Sequence, residues 1–192
     1  MIKLAAKSLK QSTIEALASL RTGLKAGISV LNQDLMRKTQ IDTTFSGCTA
    51  NITIVRENML LTANIGDSRA ILGRRTNGNW THIDLSTDHK PELPLERKRI
   101  ESCGGRVEPI RGKSHSDQAT GSFVGPYRIW KKHQATPGLA MSRSFGDFVA
   151  SEIGLICEAD FSLHECTSCD KFILNATDGI WEVMTSEQVK CM

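Results

Sequence analysis

The chain has 192 residues, of which 40% are hydrophobic and 23% charged, and its formal net charge is only +3. This length suits a single domain, residues 1–192, with a sizeable core. Lys and Arg are dispersed, which argues against a nucleic-acid-binding protein. No apolar run approaches the roughly 18 residues of a membrane span, and the N-terminus lacks a signal core. We therefore predict an intracellular protein, cytoplasmic and/or nuclear, with no membrane partner.

The first forty residues predict two amphipathic helices. Apolar residues recur at near-helical spacing from Met1 to about Arg21. The Gly-containing segment "TGLKAG" then predicts a break, and a second apolar stripe runs from Ile28 to Met36.

From Thr49 the apolar period changes to two, which predicts strands. The runs "ITIV", "LLTANI", "RAILGR" and "WTHIDLS" are separated by short polar turns, and Asn77-Gly78 is a strong hairpin signal. Together they predict an antiparallel meander.

The second half of the chain mixes helix signals with a long irregular segment. Pro94 favours the first turn of a helix that ends at Gly104-Gly105. Residues 106–137 are polar, Gly-rich and without period, and long excursions of this kind are usually functional or mobile. Thr185, with Gln188 three residues later, predicts a capping box at the start of a last helix.

One candidate functional carboxylate stands at the end of the apolar strand "FIL". Asp178 follows it in "NATDG", with Glu182 four residues later. Such an Asp is a turn residue, a metal ligand, a nucleophile or an acid/base, and the turn residue is the default interpretation. A haloacid-dehalogenase-type nucleophile requires a second Asp two residues on, where this chain has Ile180.

Other possible ligands are less distinctive. Asp67 and Asp147 suit structural turns, Asp67 with Arg69 as its partner, whereas Asp88 in "TDHKP" lies in a loop context that suits ligation. Cys166 and Cys169 form a CxxC pair, but a tetrahedral metal site needs two further ligands, so an ordinary loop is favoured. The five histidines have no regular metal spacing.

Taken in order, five segments resemble the motifs of the protein phosphatase 2C family of metal-dependent Ser/Thr phosphatases, in the style of plant and protist members. They are "SGCTANITIV", "LLTANIGDSRAIL", "STDHKPELPLERKRIESCGGRV", "PGLAMSRSFGDF" and "FILNATDGIWEVMTSEQV". The resemblance implies an α+β fold, a four-layer α-β-β-α sandwich of two antiparallel sheets flanked by helices. It also implies a phosphoprotein substrate and two catalytic Mg²⁺ or Mn²⁺ ions that activate water, with a third ion in some members.

The resemblance assigns roles residue by residue. Asp178 matches a ligand of a catalytic metal, Asp88 matches a ligand of the third metal, and Glu182 replaces an Asp at that third site. Asp67 and Asp147 match residues that hold turns. Residues 106–137 match the flap, a segment beside the active site that influences substrate choice.

The family's "DGHGG" and "DN" segments do not occur in this sequence. They carry further metal ligands and the proposed general acid, and a phosphate-binding Arg also precedes the matched region in the family, so no catalytic set is intact here. We therefore expect a domain truncated at both ends. Two hypotheses follow: a phosphoprotein phosphatase whose remaining ligands lie outside these residues, or a non-catalytic pseudo-phosphatase or protein-binding module on the same scaffold. Strand edges left unpaired by the missing parts predict self-association.

Overall fold

A computed structural model describes residues 2–38, 40–112 and 123–190. It begins with one long helix, α1 (Ile2–Arg37), so the prediction of two separate helices is wrong. The helix continues through Gly23 and Gly27, although glycine costs about 1 kcal/mol in a helix interior. Leu17 and Ile28, on either side of the expected break, are both buried against strands. This packing offsets the weak local helix propensity.

The predicted strands are present, but the prediction of a single antiparallel meander is wrong, because the strands form two hairpins in two separate sheets. After the short strand β1 (Gly47–Cys48) come four consecutive strands joined by tight turns. They are β2 (Ala50–Arg56), β3 (Met59–Ile65), β4 (Arg69–Thr76) and β5 (Asn79–Asp84). Asn77 and Gly78 both have positive φ, as the hairpin between β4 and β5 requires.

Two later strands complete two antiparallel sheets. Strand β10 (Asp160–Glu165) pairs with β3, and β11 (Asp170–Ala176) pairs with β4. The sheet orders are therefore β10-β3-β2 and β11-β4-β5. Leu60 of β3 shares an apolar cluster with Leu72 of β4, so the sheets face each other across this core.

Helix α1 covers the other face of the first sheet. Leu17 of α1 packs with Met59 and Leu61 of β3, and Ile28 packs with Ile65. The alternation along β3 thus sends Leu60 between the sheets and its neighbours under the helix, which explains why the whole strand is buried.

The flap is more regular than its sequence predicted. Helix α2 (Pro94–Ser102) begins at Pro94 as expected and leads into β6 (Gly105–Arg111), which pairs with β7 (Phe123–Lys131) and through it with β8 (Pro137–Leu139). The expectation of an irregular excursion is therefore wrong for these parts, while residues 113–122 lie outside the described residues. A register shift between Glu108 and Ile110 hides the period-two pattern.

Short elements connect the sheets. They are β9 (Phe145–Gly146), which pairs with β1, and the helices α3 (Phe148–Ser151), α4 (Asp178–Trp181) and α5 (Ser186–Val189). The predicted capping box is present, with Thr185 and Gln188 bonded reciprocally. The architecture is the expected α+β sandwich of antiparallel sheets and flanking helices. Within the described ranges, no helix is both long and apolar enough to cross a membrane.

Candidate functional site

Asp178 lies where the second sheet ends. Strand β11 terminates at Ala176, Thr177 adopts an extended conformation, and Asp178 is the first residue of α4. Asp178 and Glu182 are both exposed, and the Glu182 backbone N–H donates to the Asp178 carbonyl at 2.7 Å. Among the described residues, neither carboxylate has a hydrogen-bond or ion-pair partner. Their carboxylate oxygens are therefore available to bind a ligand.

Arg69 anchors this end of the sheet. Its guanidinium donates twice to the Asp88 carboxylate, at 2.7 and 2.8 Å, and once to the Ser186 hydroxyl at 3.1 Å. It also lies over the Trp181 ring, 5.1 Å from the centroid. The Trp181 indole N–H in turn donates to the Ala176 carbonyl at 2.8 Å. Arg69 thus holds the loop of Asp88 beside the two helices that follow Asp178.

The sequence suggested a different set of pairs. Arg69 was the expected partner of Asp67, but Asp67 pairs with Lys90. Asp88, expected to be open to a ligand, is only 12% exposed at its side chain and is bound by Arg69. A cation at Asp88 would therefore compete with a bidentate guanidinium. In an extended "DSR" segment, the side chains of Asp67 and Arg69 lie on the same side of the chain. This proximity is too weak a signal to predict that Asp67 pairs with Lys90 and Arg69 with Asp88.

His89 is part of the scaffold. It is 1% exposed, and its Nδ1 accepts from the Gly66 backbone N–H at 3.0 Å. Nε2 therefore carries the proton and donates to Asp160 at 3.1 Å. Burial, aided by the positive charge of Arg143, lowers the pKa of His89, so the ring is neutral near pH 7. Three successive side chains of the "DHKP" segment, Asp88, His89 and Lys90, are thus held by contacts with Arg69, Gly66 and Asp67.

A buried ionic cluster joins α2 to the segment before β9. Glu96 accepts hydrogen bonds from Arg99, Arg143 and the Ser142 hydroxyl. Although burial raises it, these donors hold the pKa of Glu96 well below its usual range. Arg143 also donates to Asp160 at 2.9 Å, which links this cluster to His89. No sequence pattern predicted the cluster, because its members are dispersed along the chain.

Asp147 has the predicted structural role. It has a positive φ of 49°, and its carboxylate accepts from the Ser144 hydroxyl at 2.8 Å. Burial raises the pKa of Asp147, and the Ser144 bond opposes this. A Cβ added at Gly47 would lie 2.0 Å from the Asp147 Oδ2, so glycine is required for this close approach.

The CxxC pair occupies an ordinary loop between β10 and β11, as favoured from the sequence. Asp170 accepts from the backbone N–H and the hydroxyl of Thr167, which lies between the two cysteines. Burial raises the pKa of Cys166, which disfavours the thiolate needed for metal binding. Both cysteines are free thiols.

The described residues do not supply a complete metal site. Over residues 2–38, 40–112 and 123–190, no group of three or more His, Cys, Asp or Glu side chains is placed to hold a cation. Asp178 and Glu182 have the oxygen chemistry that Mg²⁺ and Mn²⁺ prefer, but Asp88 is neutralised by Arg69. Further ligands would have to come from elsewhere.

Comparisons with known proteins converge on one family. The sequence model described as "Protein phosphatase 2C" matches residues 3–191. Probable protein phosphatase 2C 38 of Oryza sativa subsp. japonica is 39% identical over 176 residues, which cover 91% of this chain and 36% of that protein. Probable protein phosphatase 2C 72 of Arabidopsis thaliana is 39% identical over 146 residues, covering 76% of this chain and 41% of that protein.

A solved structure supports the fold. The serine-threonine phosphatase 2C from Toxoplasma gondii superposes with a TM-score of 0.75 at 23% identity. The alignment covers 93% of this chain and 56% of that one. The chain spans about a third to under a half of the length of these curated relatives.

Proposed function

Since the chain belongs to the protein phosphatase 2C family, we propose that it is the central part of a metal-dependent phosphatase acting on phosphoserine and phosphothreonine in phosphoproteins. The observation that carries this proposal is the family match across residues 3–191. When bound, Mg²⁺ or Mn²⁺ ions supply an acidified water and neutralise phosphoryl charge. We place the protein inside the cell, in the cytoplasm or nucleus.

This chain's own contribution is one part of the ligand set. We assign Asp178 as an oxygen ligand of a catalytic ion, and Glu182 with Asp88 as ligands of a third, weaker ion. The exposed and unpartnered carboxylates of Asp178 and Glu182 support this assignment. Asp88 can contribute only if Arg69 releases it, so third-site binding should be weak.

The same reasoning separates the two functional hypotheses. An isolated pair of carboxylates cannot close a two-ion site, so we propose that these 192 residues alone do not catalyse hydrolysis. A longer form that contains "DGHGG" and "DN" segments would be the enzyme. A form without them would be a non-catalytic binding module on the same scaffold.

The test is hydrolysis of a phosphothreonine peptide with Mn²⁺. We expect no phosphate release by the 192-residue chain above the metal-only blank, and release by a longer form that is lost in Asp178→Ala. Hydrolysis by the 192-residue chain that disappears in Asp178→Ala would show that the chain suffices. A longer form that has both segments and still shows no release would contradict the assigned activity.

We also propose self-association through the open edge of β2. Among the described residues β2 pairs only with β3, and an apolar groove of about 870 Å³ lies between it and α1. Leu20, Leu31 and Ile52 line the groove and are 40%, 50% and 38% exposed. An unpaired edge beside apolar side chains favours strand pairing with a second copy.

Light scattering across a concentration series tests this association. We expect the mass to rise with concentration and Ile52→Lys to shift the rise to higher concentration. Leu95→Lys makes the same chemical change at a residue that is 80% exposed on α2, outside the groove, and should leave the rise unchanged. A constant monomer mass throughout would contradict the proposal.

A further inference from the structure

Although Lys and Arg are dispersed along the chain, the flap, residues 106–137, has a net positive charge because it contains few acidic residues. The flap holds six Lys and Arg against two Asp and Glu, a net charge of +4, whereas the whole chain has +3. The rest of the chain therefore has eighteen basic against nineteen acidic residues and is slightly negative. A segment with a net positive charge in an otherwise nearly neutral chain attracts anionic partners to one place.

Trp130 and Arg106 of the flap sheet are fixed by their neighbours. The Trp130 ring lies flat against Gly138, where an added Cβ would be 2.9 Å from the ring, and its indole N–H donates to the Glu108 carbonyl at 2.8 Å. Arg106 covers the ring, 5.3 Å from its centroid, and is fixed by Glu108 at 2.6 Å and by the Gln134 carbonyl at 3.0 Å. Both side chains are held before any ligand arrives.

Two further cations border the same pocket without being neutralised. The pocket, about 550 Å³, is lined by Trp130 and Arg106 and also by Arg111 and Lys132. Glu108, the one acidic side chain in its lining, is already paired with Arg106. Within the described ranges neither Arg111 nor Lys132 has an ion-pair partner, and both are exposed. The site therefore offers two cations that have no carboxylate partner among the described residues, beside the Trp130 ring, with Arg111 lying over Phe123 at 5.8 Å from its centroid.

We infer that this flap pocket binds a carboxylate-rich segment of a protein, and, resting on the proposed function, that this segment belongs to the phosphoprotein substrate. Arg111 and Lys132 pair with Asp or Glu side chains of the segment, while Trp130 and Ile110 contact the stems of those side chains. The size of the pocket suits a few carboxylates. Nucleic acid would need a longer run of phosphate contacts than these cations provide.

Fluorescence anisotropy with the 192-residue chain tests the inference. The probes are a fluorescein-labelled octaglutamate peptide, a Ser/Gly peptide of the same length, and single-stranded octathymidine. We expect octaglutamate to bind more tightly than either other probe, with an affinity that falls as salt is added. The double variant Arg111→Gln/Lys132→Gln should weaken octaglutamate binding about tenfold, the effect of losing two exposed ion pairs.

The matched control removes the same charge elsewhere. Lys38 and Arg56 are exposed, lie outside the flap and have no side-chain partner among the described residues, so Lys38→Gln/Arg56→Gln should change the affinity less than about twofold. Equal weakening by both double variants would overturn the inference, as would tighter binding of octathymidine or no binding of octaglutamate. The anisotropy assay measures binding and needs no hydrolysis. A chain without phosphatase activity would therefore contradict the proposed function but not the flap-pocket inference.

Discussion

Two groups of carboxylates in this chain differ in what surrounds them. Glu96 is 3% exposed and accepts from Arg99, Ser142 and Arg143, so its charge is fully compensated within the fold. Asp178 and Glu182 are exposed at the end of the second sheet and have no partner among the described residues. A compensated buried carboxylate stabilises the scaffold, whereas a free one at a strand end can accept a ligand. The number of donors around a carboxylate, more than its sequence context, separates the two roles.

The largest effect should come from breaking the buried cluster. Glu96→Gln removes the negative charge between Arg99 and Arg143, and we expect a loss of about 3–5 kcal/mol in the free energy of unfolding, because both guanidinium groups lose their counter-charge. Urea denaturation measures it. Glu92→Gln, at an exposed residue of the loop before α2, should change the free energy by less than about 0.5 kcal/mol. Equal stability of both variants would show that the cluster is not stabilising.

A smaller effect is expected at Arg69, which connects the two regions. Arg69→Lys keeps the charge but loses the bidentate contact with Asp88 and the planar stacking on Trp181, so unfolding should cost about 1–2 kcal/mol less. Thermal denaturation gives the change, with exposed Arg56→Lys as the neutral control. Because Asp88 is then held less tightly, Mn²⁺ affinity should rise in Arg69→Lys if Asp88 is a ligand. Unchanged Mn²⁺ affinity would argue against Asp88.

The pH dependence of stability reports on His89. Its pKa is lowered in the folded state, so the unfolded chain binds the extra proton first, and stability should fall as pH drops below the ordinary histidine value of about 6.5. His89→Gln should flatten the stability profile between about pH 7 and pH 5.5. The loss below about pH 4.5 should remain, because the folded state lowers the pKa values of Asp160 and Glu96, so the unfolded chain takes up protons at these carboxylates first.

Urea titrations at several pH values measure this profile. The control is His133→Gln, at an exposed histidine without a hydrogen bond to the described residues, which should keep the wild-type slope between pH 7 and pH 5.5. A His89→Gln profile that overlays the wild type would show that this ring is not the titrating group.

The smallest effect on stability is expected at the free carboxylates. Asp178→Asn and Glu182→Gln should each change the free energy of unfolding by less than about 0.5 kcal/mol, because no contact of either side chain is lost. The same variants should weaken Mn²⁺ binding, read by electron paramagnetic resonance of the free ion. A large destabilisation in Asp178→Asn would instead indicate the structural turn role. The comparison between buried and free carboxylates would then not hold at this position.

Elements with local signals could be predicted from the amino-acid sequence. The strands β2 to β5, the helix begun by Pro94 and the capping box at Thr185 all follow from residue period and turn chemistry, and the order of five motifs indicated the family. The sequence also located Asp178 at the end of a strand.

Features that depend on contacts between distant residues became visible only in the folded chain. Packing against β3 carries α1 through Gly23 and Gly27, and strand pairing turns much of the flap into a sheet. Only the folded chain shows that Arg69 forms an ion pair with Asp88, while Asp67 forms one with Lys90. These choices could not be read from the sequence, because the energy of a charge depends on which donors the fold brings within hydrogen-bond distance.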